Sequence, residues 1–210
     1  MTLLLDQKGS DILITEEVLK AAAGNKESGK EIMIFLFDQK GSDISITEEV
    51  LKAAAGNGES GKEIMTLLLD QKGSEISITE EVLKAAAGNR KSGKEIMTLL
   101  LDQKGSDISI TEEVLKTAAG NEWSGKEIMK LLNQKGSDIS ITEEVVKVAA
   151  GNWWNGQKIM TLLLDRKGSE ISITEEVIKA AAENRWIGKE IMTRLLDQKG
   201  SEISITCKGV

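Results

Sequence analysis

The chain contains no histidine, no proline and no tyrosine, a single cysteine, and only 3% aromatic residues among its 210. Histidine is the commonest general base and the commonest metal ligand, so its absence removes the usual route to acid–base catalysis and to a metal centre. Cys207, standing alone, can form no internal disulfide and no cysteine metal site. It fits a reduced, cytoplasmic setting. Long apolar runs are lacking too: the longest span a few residues, far short of a membrane crossing. No charged segment followed by an apolar core opens the chain as a signal peptide would. Nor is there an excess of positive charge. The net charge of −7 argues against a nucleic-acid partner, which needs a basic stripe to displace counterions. The expectation is a protein with no cofactor, no metal, no nucleic acid and no membrane contact. Hydrophobic content of 40% with 29% charge still suits a folded chain.

What the chain does have is a repeat. Units reading GSDISITEEVLKAAAGNxxSGKEIMTLLLDQK open at Gly9, Gly41, Gly73, Gly105, Gly136, Gly168 and Gly200, a spacing of 32 residues five times and 31 once. The whole chain, 1–210, is therefore read as one array: a partial unit 1–8, units 9–40, 41–72, 73–104, 105–135, 136–167 and 168–199, and a partial unit 200–210. Both ends cut through a unit, as expected for a stretch of a longer array or a short product without end caps. Repeats of this period stack, because one unit cannot bury its own apolar face.

The third unit shows the local logic. Thr79 is a good N-cap, with Glu80 and Glu81 in the first turn where the helix dipole favours negative charge. Val82-Leu83-Lys84-Ala85-Ala86-Ala87 follows, and Gly88-Asn89 predicts a left-handed stop. The alanines suit a crowded inner helix layer. Ser92 and Glu95 predict a capping box for a second helix, repeated as Ser28/Glu31, Ser60/Glu63 and Ser124/Glu127. That helix carries a wide apolar stripe, Ile96, Met97, Leu99, Leu100 and Leu101, and ends at Lys104 with Gly105 as its stop. A second helix is also expected in part at Leu3–Gln7. Ser106-Asp107-Ile108-Ser109-Ile110 alternates polar and apolar, which predicts an extended link, a short strand or a finger. One second helix, Met129–Gln134, is a residue short. A deletion turns the later units by about 100° unless the link absorbs it; a shortened last turn and a local bend are expected.

Two motifs invite a chemical reading. The turn G-N-x-x-S-G-K-E fits most of a phosphate loop at Gly24/Gly29/Lys30, Gly56/Gly61/Lys62, Gly88/Gly93/Lys94 and Gly120/Gly125/Lys126. The metal-binding Ser/Thr is replaced by Glu31, Glu63, Glu95 and Glu127, and a helix stands where the motif requires a strand. Paired carboxylates such as Glu48-Glu49 recur in each unit, but adjacent helical residues point in different directions. No singular constellation marks a catalytic centre, so the chain is expected not to be an enzyme.

The informative variation lies in the x-x pair: Lys26-Glu27, Gly58-Glu59, Arg90-Lys91, Glu122-Trp123, Trp153-Trp154 and Arg185-Trp186. All four tryptophans of the chain fall there. A position that accepts Gly, Lys, Glu, Arg or Trp is solvent-facing, and stacked units place equivalent positions about 10 Å apart, in a ladder. Exposed aromatics so grouped have the character of interface hot spots. These twelve residues are the candidate partner-binding positions.

Leu67-Leu68-Leu69-Asp70 followed by Gly73-Ser74-Glu75-Ile76 resembles the second helix and exit of an ankyrin repeat, and Thr79, Leu83 and Ala85-Ala86 followed by Gly88 resembles its first helix. The likeness covers nearly the whole chain. It departs where the proline after the threonine is Glu80, where no histidine follows, and where the turn between helices is longer and the link shorter. The unit more strongly resembles degenerate ankyrin-like tandem repeats of fungal proteins, including tails of NACHT-type receptors. That resemblance implies a ligand-sensing or protein-binding array with no activity of its own.

The fold expected is all-α: a solenoid of stacked antiparallel helix pairs with ankyrin-like repeats and short extended links. The function expected is protein–protein recognition or scaffolding through the turn tips, as a segment of a larger intracellular protein such as a fungal receptor. The rival is a structural spacer or rod that self-associates end to end.

Overall fold

The computed structural model describes residues 14–40, 44–73, 76–104, 108–135, 140–167 and 171–199. The expectations for the partial units 1–8 and 200–210, including Leu3–Gln7 and Cys207, lie outside the described residues.

Twelve helices follow one another among the described residues, two to each unit, with no strand. The first helices are α1 (Glu16–Gly24), α3 (Glu48–Gly56), α5 (Glu80–Gly88), α7 (Glu112–Gly120), α9 (Glu143–Gly151) and α11 (Glu175–Glu183). The second helices are α2 (Gly29–Lys40), α4 (Gly61–Lys72), α6 (Gly93–Lys104), α8 (Gly125–Lys135), α10 (Gly156–Lys167) and α12 (Gly188–Lys199). Each helix packs on its partner within the unit and on its counterparts in the units on either side. This is an all-α repeat solenoid.

The first helices start as their sequence predicts. Thr79, Thr111, Thr142 and Thr174 accept a hydrogen bond from the amide of the valine three residues on, at 3.4 Å. Thr15 and Thr47 hold the same extended N-cap backbone without that bond. The predicted stop is different. Asn89 has φ −70° and ψ 118°, an extended conformation shared by Asn25, Asn57, Asn121, Asn152 and Asn184, not a left-handed one. Gly73, after α4, is right-handed at φ −52°.

The core runs through the array without a break. In the third unit it takes Val82, Leu83, Ala86 and Ala87 from α5 and Ile96, Met97, Leu100 and Leu101 from α6, all buried. The links contribute Ile44, Ile76 and Ile171 to it, so the extended segments are pinned by their isoleucines and form no strand among the described residues. The first helices, though shorter, pack on one another more closely than the second helices do. Alanine on their contact faces lets the axes approach, which makes the first-helix row the crowded side of the array.

The deletion is absorbed locally. Helix α8 has 11 residues where the other second helices have 12. Asn133 takes the register position of the buried Leu101 and Leu164. Arg166, where other units have Gln, donates to both the Asn133 carbonyl at 2.9 Å and its Oδ1 at 2.8 Å. The units beyond keep their stacking.

Candidate recognition surface at the helix–helix turns

Each turn is organised by one asparagine, buried in all but the first, where Asn25 is exposed. Asn89 Nδ2 donates to Ala55 O at 2.8 Å and Asn57 O at 3.0 Å in the preceding unit. Its Oδ1 accepts from the amides of Lys91 and Ser92, both at 3.0 Å. All four hydrogen-bonding positions of the carboxamide are used. Asn57, Asn121, Asn152 and Asn184 repeat the arrangement, so an asparagine ladder threads the seams between units. Across the deletion Asn152 still reaches Ala119 O at 2.8 Å.

The ladder replaces the predicted capping box. Ser60 makes no side-chain cap; its own amide is held by Asn57 Oδ1 at 3.1 Å. Reading the sequence alone gives the asparagine only the role of a stop. The signal for its larger role is nevertheless present: the asparagine stays in all six units, even where the glycine before it becomes Glu183.

The second glycine of the turn is steric. A Cβ on Gly61 would lie 2.5 Å from Ala54 O, and one on Gly93 2.7 Å from Ala86 O, so the second helix meets the first with backbone against backbone. The phosphate-loop likeness is thus accounted for by packing. The amides of Glu59 and Ser60 are already taken by Asn57 Oδ1, and that of Gly61 by Asn57 O at 3.2 Å.

On this base stand the variable tips. Trp123, Trp153, Trp154 and Trp186 are 70%, 58%, 73% and 76% exposed. Lys26, Glu27, Glu59, Arg90, Lys91 and Arg185 are exposed as well. Gly58 and Glu122 are half-buried, which corrects the expectation of a uniformly open row: each lies against the tip of a neighbouring unit. The Lys91 side chain passes Gly58 to pair with Glu59, and Arg90 lies 3.9 Å from Glu122. The Lys91 ammonium holds the Glu59 carboxyl below the ordinary carboxylate range.

The charged tips are therefore partly occupied with one another, while the aromatic ones are not. Trp153, Trp154 and Trp186, with Ile187 beside them, line one open apolar groove of about 510 Å³. Trp123 is not part of its lining. No indole N–H has a partner among the described residues. Asn155, buried where the four preceding units carry serine and the next carries Ile187, ties its turn to the preceding tip by donating to Glu122 O at 2.7 Å.

The recurrent carboxylates at the first-helix starts are engaged by lysines. Glu49 bonds Lys52 at 2.8 Å and Lys20 of the preceding unit at 3.3 Å, which together lower its pKa. Glu81, Glu113 and Glu144 pair with the lysine three residues on. No group of three or more potential ligands is placed to hold a metal among the described residues. No described helix is long and apolar enough to cross a membrane.

One family model matches the chain six times in tandem, at residues 3–33, 35–65, 67–97, 99–129, 131–160 and 162–192. Its description is Domain of unknown function (DUF7104). From 35–65 onward each match begins inside one second helix and ends inside the next, so it spans a seam and its asparagine. No curated protein and no solved structure matches the chain.

Proposed function

The chain belongs to this family of tandem helical repeats, and on that premise we propose that the array is a protein-recognition scaffold whose binding surface is the aromatic stretch of its turn tips. The observation that carries the reading is the groove formed by Trp153, Trp154, Trp186 and Ile187. The same positions hold Lys26, Glu27, Gly58, Glu59 and Ser28 or Ser60 in other units, so the fold has no need of apolar residues there. Large solvent-exposed tryptophans grouped in one concavity, with indole donors that bond nothing among the described residues, have the make-up of an interface centre. The bulky apolar side chains of a partner protein fill the groove, and its polar groups meet the indole N–H donors.

The charged tips of Glu59, Lys91, Arg90 and Glu122 favour a different role, cohesion between units, because they pair across the seams. Recognition is therefore assigned to Trp123, Trp153, Trp154, Arg185 and Trp186, and the other candidate tips flank it. The array acts inside the cell, without catalysis of its own, as a sensing or scaffolding segment such as the repeat tail of a fungal receptor.

The test is a pull-down comparing the array with a variant carrying Trp123→Glu, Trp153→Gly, Trp154→Lys and Trp186→Lys, residues native to these or neighbouring tips. Partners retained by the first and lost by the second support the reading. An identical set of partners, or none for either, goes against it and favours a spacer or rod.

A further inference from the structure

Of the six turn asparagines, one is followed by glycine: Asn57-Gly58, against Asn25-Lys26, Asn89-Arg90, Asn121-Glu122, Asn152-Trp153 and Asn184-Arg185. Glycine after asparagine matters chemically. The amide nitrogen of the following residue can attack the side-chain Cγ, and only glycine leaves that approach free of a side chain. The Gly58 nitrogen loses its proton to base and bonds to Asn57 Cγ, and Nδ2 departs with a proton as ammonia. Water then opens the resulting five-membered imide to aspartate or isoaspartate. The net change is one water consumed and one ammonia released.

In the closed array this chemistry is blocked by geometry. Asn57 is buried, its Nδ2 donates to Ala23 O at 3.0 Å and Asn25 O at 2.9 Å, and its Oδ1 accepts from the Glu59 and Ser60 amides. These bonds fix the carboxamide toward the first unit. The Gly58 nitrogen has no hydrogen-bond partner among the described residues, so the orientation of the Asn57 side chain is the restraint on the reaction. A second Asn-Gly pair, Asn155-Gly156, is held twice: Asn155 Nδ2 bonds Glu122 O, and the Gly156 amide itself donates to Asn152 O at 3.1 Å.

We propose that Asn57-Gly58 is a self-modification site gated by the seam between the first two units, inert while that seam is closed and converted irreversibly when it opens. After conversion, a carboxylate stands where Nδ2 donated, facing the carbonyl oxygens of Ala23 and Asn25. Two acceptors and an anion without a donor do not reseal the seam. Local opening thereby becomes a permanent record, confined to one end of the described array. The larger side chain after each of the other ladder asparagines spares their seams the same fate.

The test uses the full chain at mildly alkaline pH, with peptide mapping by mass spectrometry to follow aspartate and isoaspartate at Asn57. Native protein should convert slowly and urea-unfolded protein fast. Leu19→Ala, which loosens the first unit without touching the turn, should raise the native rate about tenfold or more. Leu163→Ala, far along the array, should leave it unchanged. Gly58→Arg should abolish conversion while keeping helix content. Asn57→Asp should strip hydrogen-exchange protection from residues 14–40 and spare the later units. Equal rates in native and unfolded chains, no effect of Leu19→Ala, or full protection in Asn57→Asp would each overturn the proposal.

Discussion

Gly56 and Gly61 stand in the same turn under opposite constraints. A Cβ added at Gly56 would meet nothing within 4 Å, whereas one at Gly61 would lie 2.5 Å from Ala54 O. Gly56→Ala should therefore stabilise the array by about 0.5–1 kcal/mol, since it removes a glycine from a helix end. Gly61→Ala should destabilise it by about 1–3 kcal/mol as the two helices are forced apart. Urea midpoints of the two variants check both signs. The ladder is tested by Asn89→Ala, which leaves Ala55 O, Asn57 O and two turn amides without their partner; each buried unsatisfied group costs about 1–3 kcal/mol. Loss of stability well beyond that of an exposed substitution is expected, and Ser92→Ala should cost far less. Charge at this scale acts gently. Glu49, Glu59 and Glu113 have lowered pKa values because lysines bond them. Their contribution is present above the ordinary carboxylate pKa and fades as pH falls through the lowered values. Lys52, Lys84, Lys116 and Lys147 are raised by their glutamates, so their contribution holds below the ordinary lysine pKa and fades as pH rises through the raised values. With no histidine in the chain, the melting temperature should be nearly flat between about pH 5 and 9. A step near pH 6.5 would contradict this.

At the scale of the element, α8 shows how a helix loses a residue without disturbing its neighbours. The missing residue is taken from the C-terminal turn, where carbonyls lack intrahelical partners anyway. Arg166 then supplies donors to the Asn133 carbonyl and side chain. Inserting a leucine after Leu132 together with Arg166→Gln restores the pattern of the other units and should be tolerated. The insertion with Arg166 kept should be tolerated less well, because the arginine loses its acceptors. Thermal melts of the two variants distinguish the outcomes. The two faces of a second helix differ in weight: Leu100 is fully buried in α6, while Thr98 on the same helix is half-exposed and donates only to the Lys94 carbonyl one turn back. Leu100→Ala should cost about 2–5 kcal/mol, and Thr98→Ala should leave the urea midpoint almost unmoved.

For the whole molecule, the unit-by-unit core means that stability grows with the number of units and that one unit alone has nowhere to bury its second-helix stripe. A peptide covering 73–104 should show little helix by circular dichroism. The tryptophans belong to this scale as well, since the groove exists only where adjacent units bring Trp153, Trp154 and Trp186 together. Their emission should be red-shifted and readily quenched in the free array. Removing all four should leave the melting temperature nearly unchanged, whereas loss of a central interface tryptophan typically costs binding about 2 kcal/mol or more. Blue-shifted, protected emission would place them in the core instead.

The repeat length, the helix pairs, the threonine caps and the buried leucine and alanine faces were all legible in the linear chain, because each depends on neighbours within one unit and on a 3.6-residue period. So was the exposure of the tryptophans, through the variety of residues that share their positions. The asparagine ladder, the backbone contact that requires Gly61, the pairing of charged tips across seams and the closing of three tryptophans into one groove were not. The ladder, the tip pairs and the groove join residues about one repeat apart in the chain, and the Gly61 contact depends on how two helices meet across their turn. That proximity exists only once the helices have packed and the units have stacked.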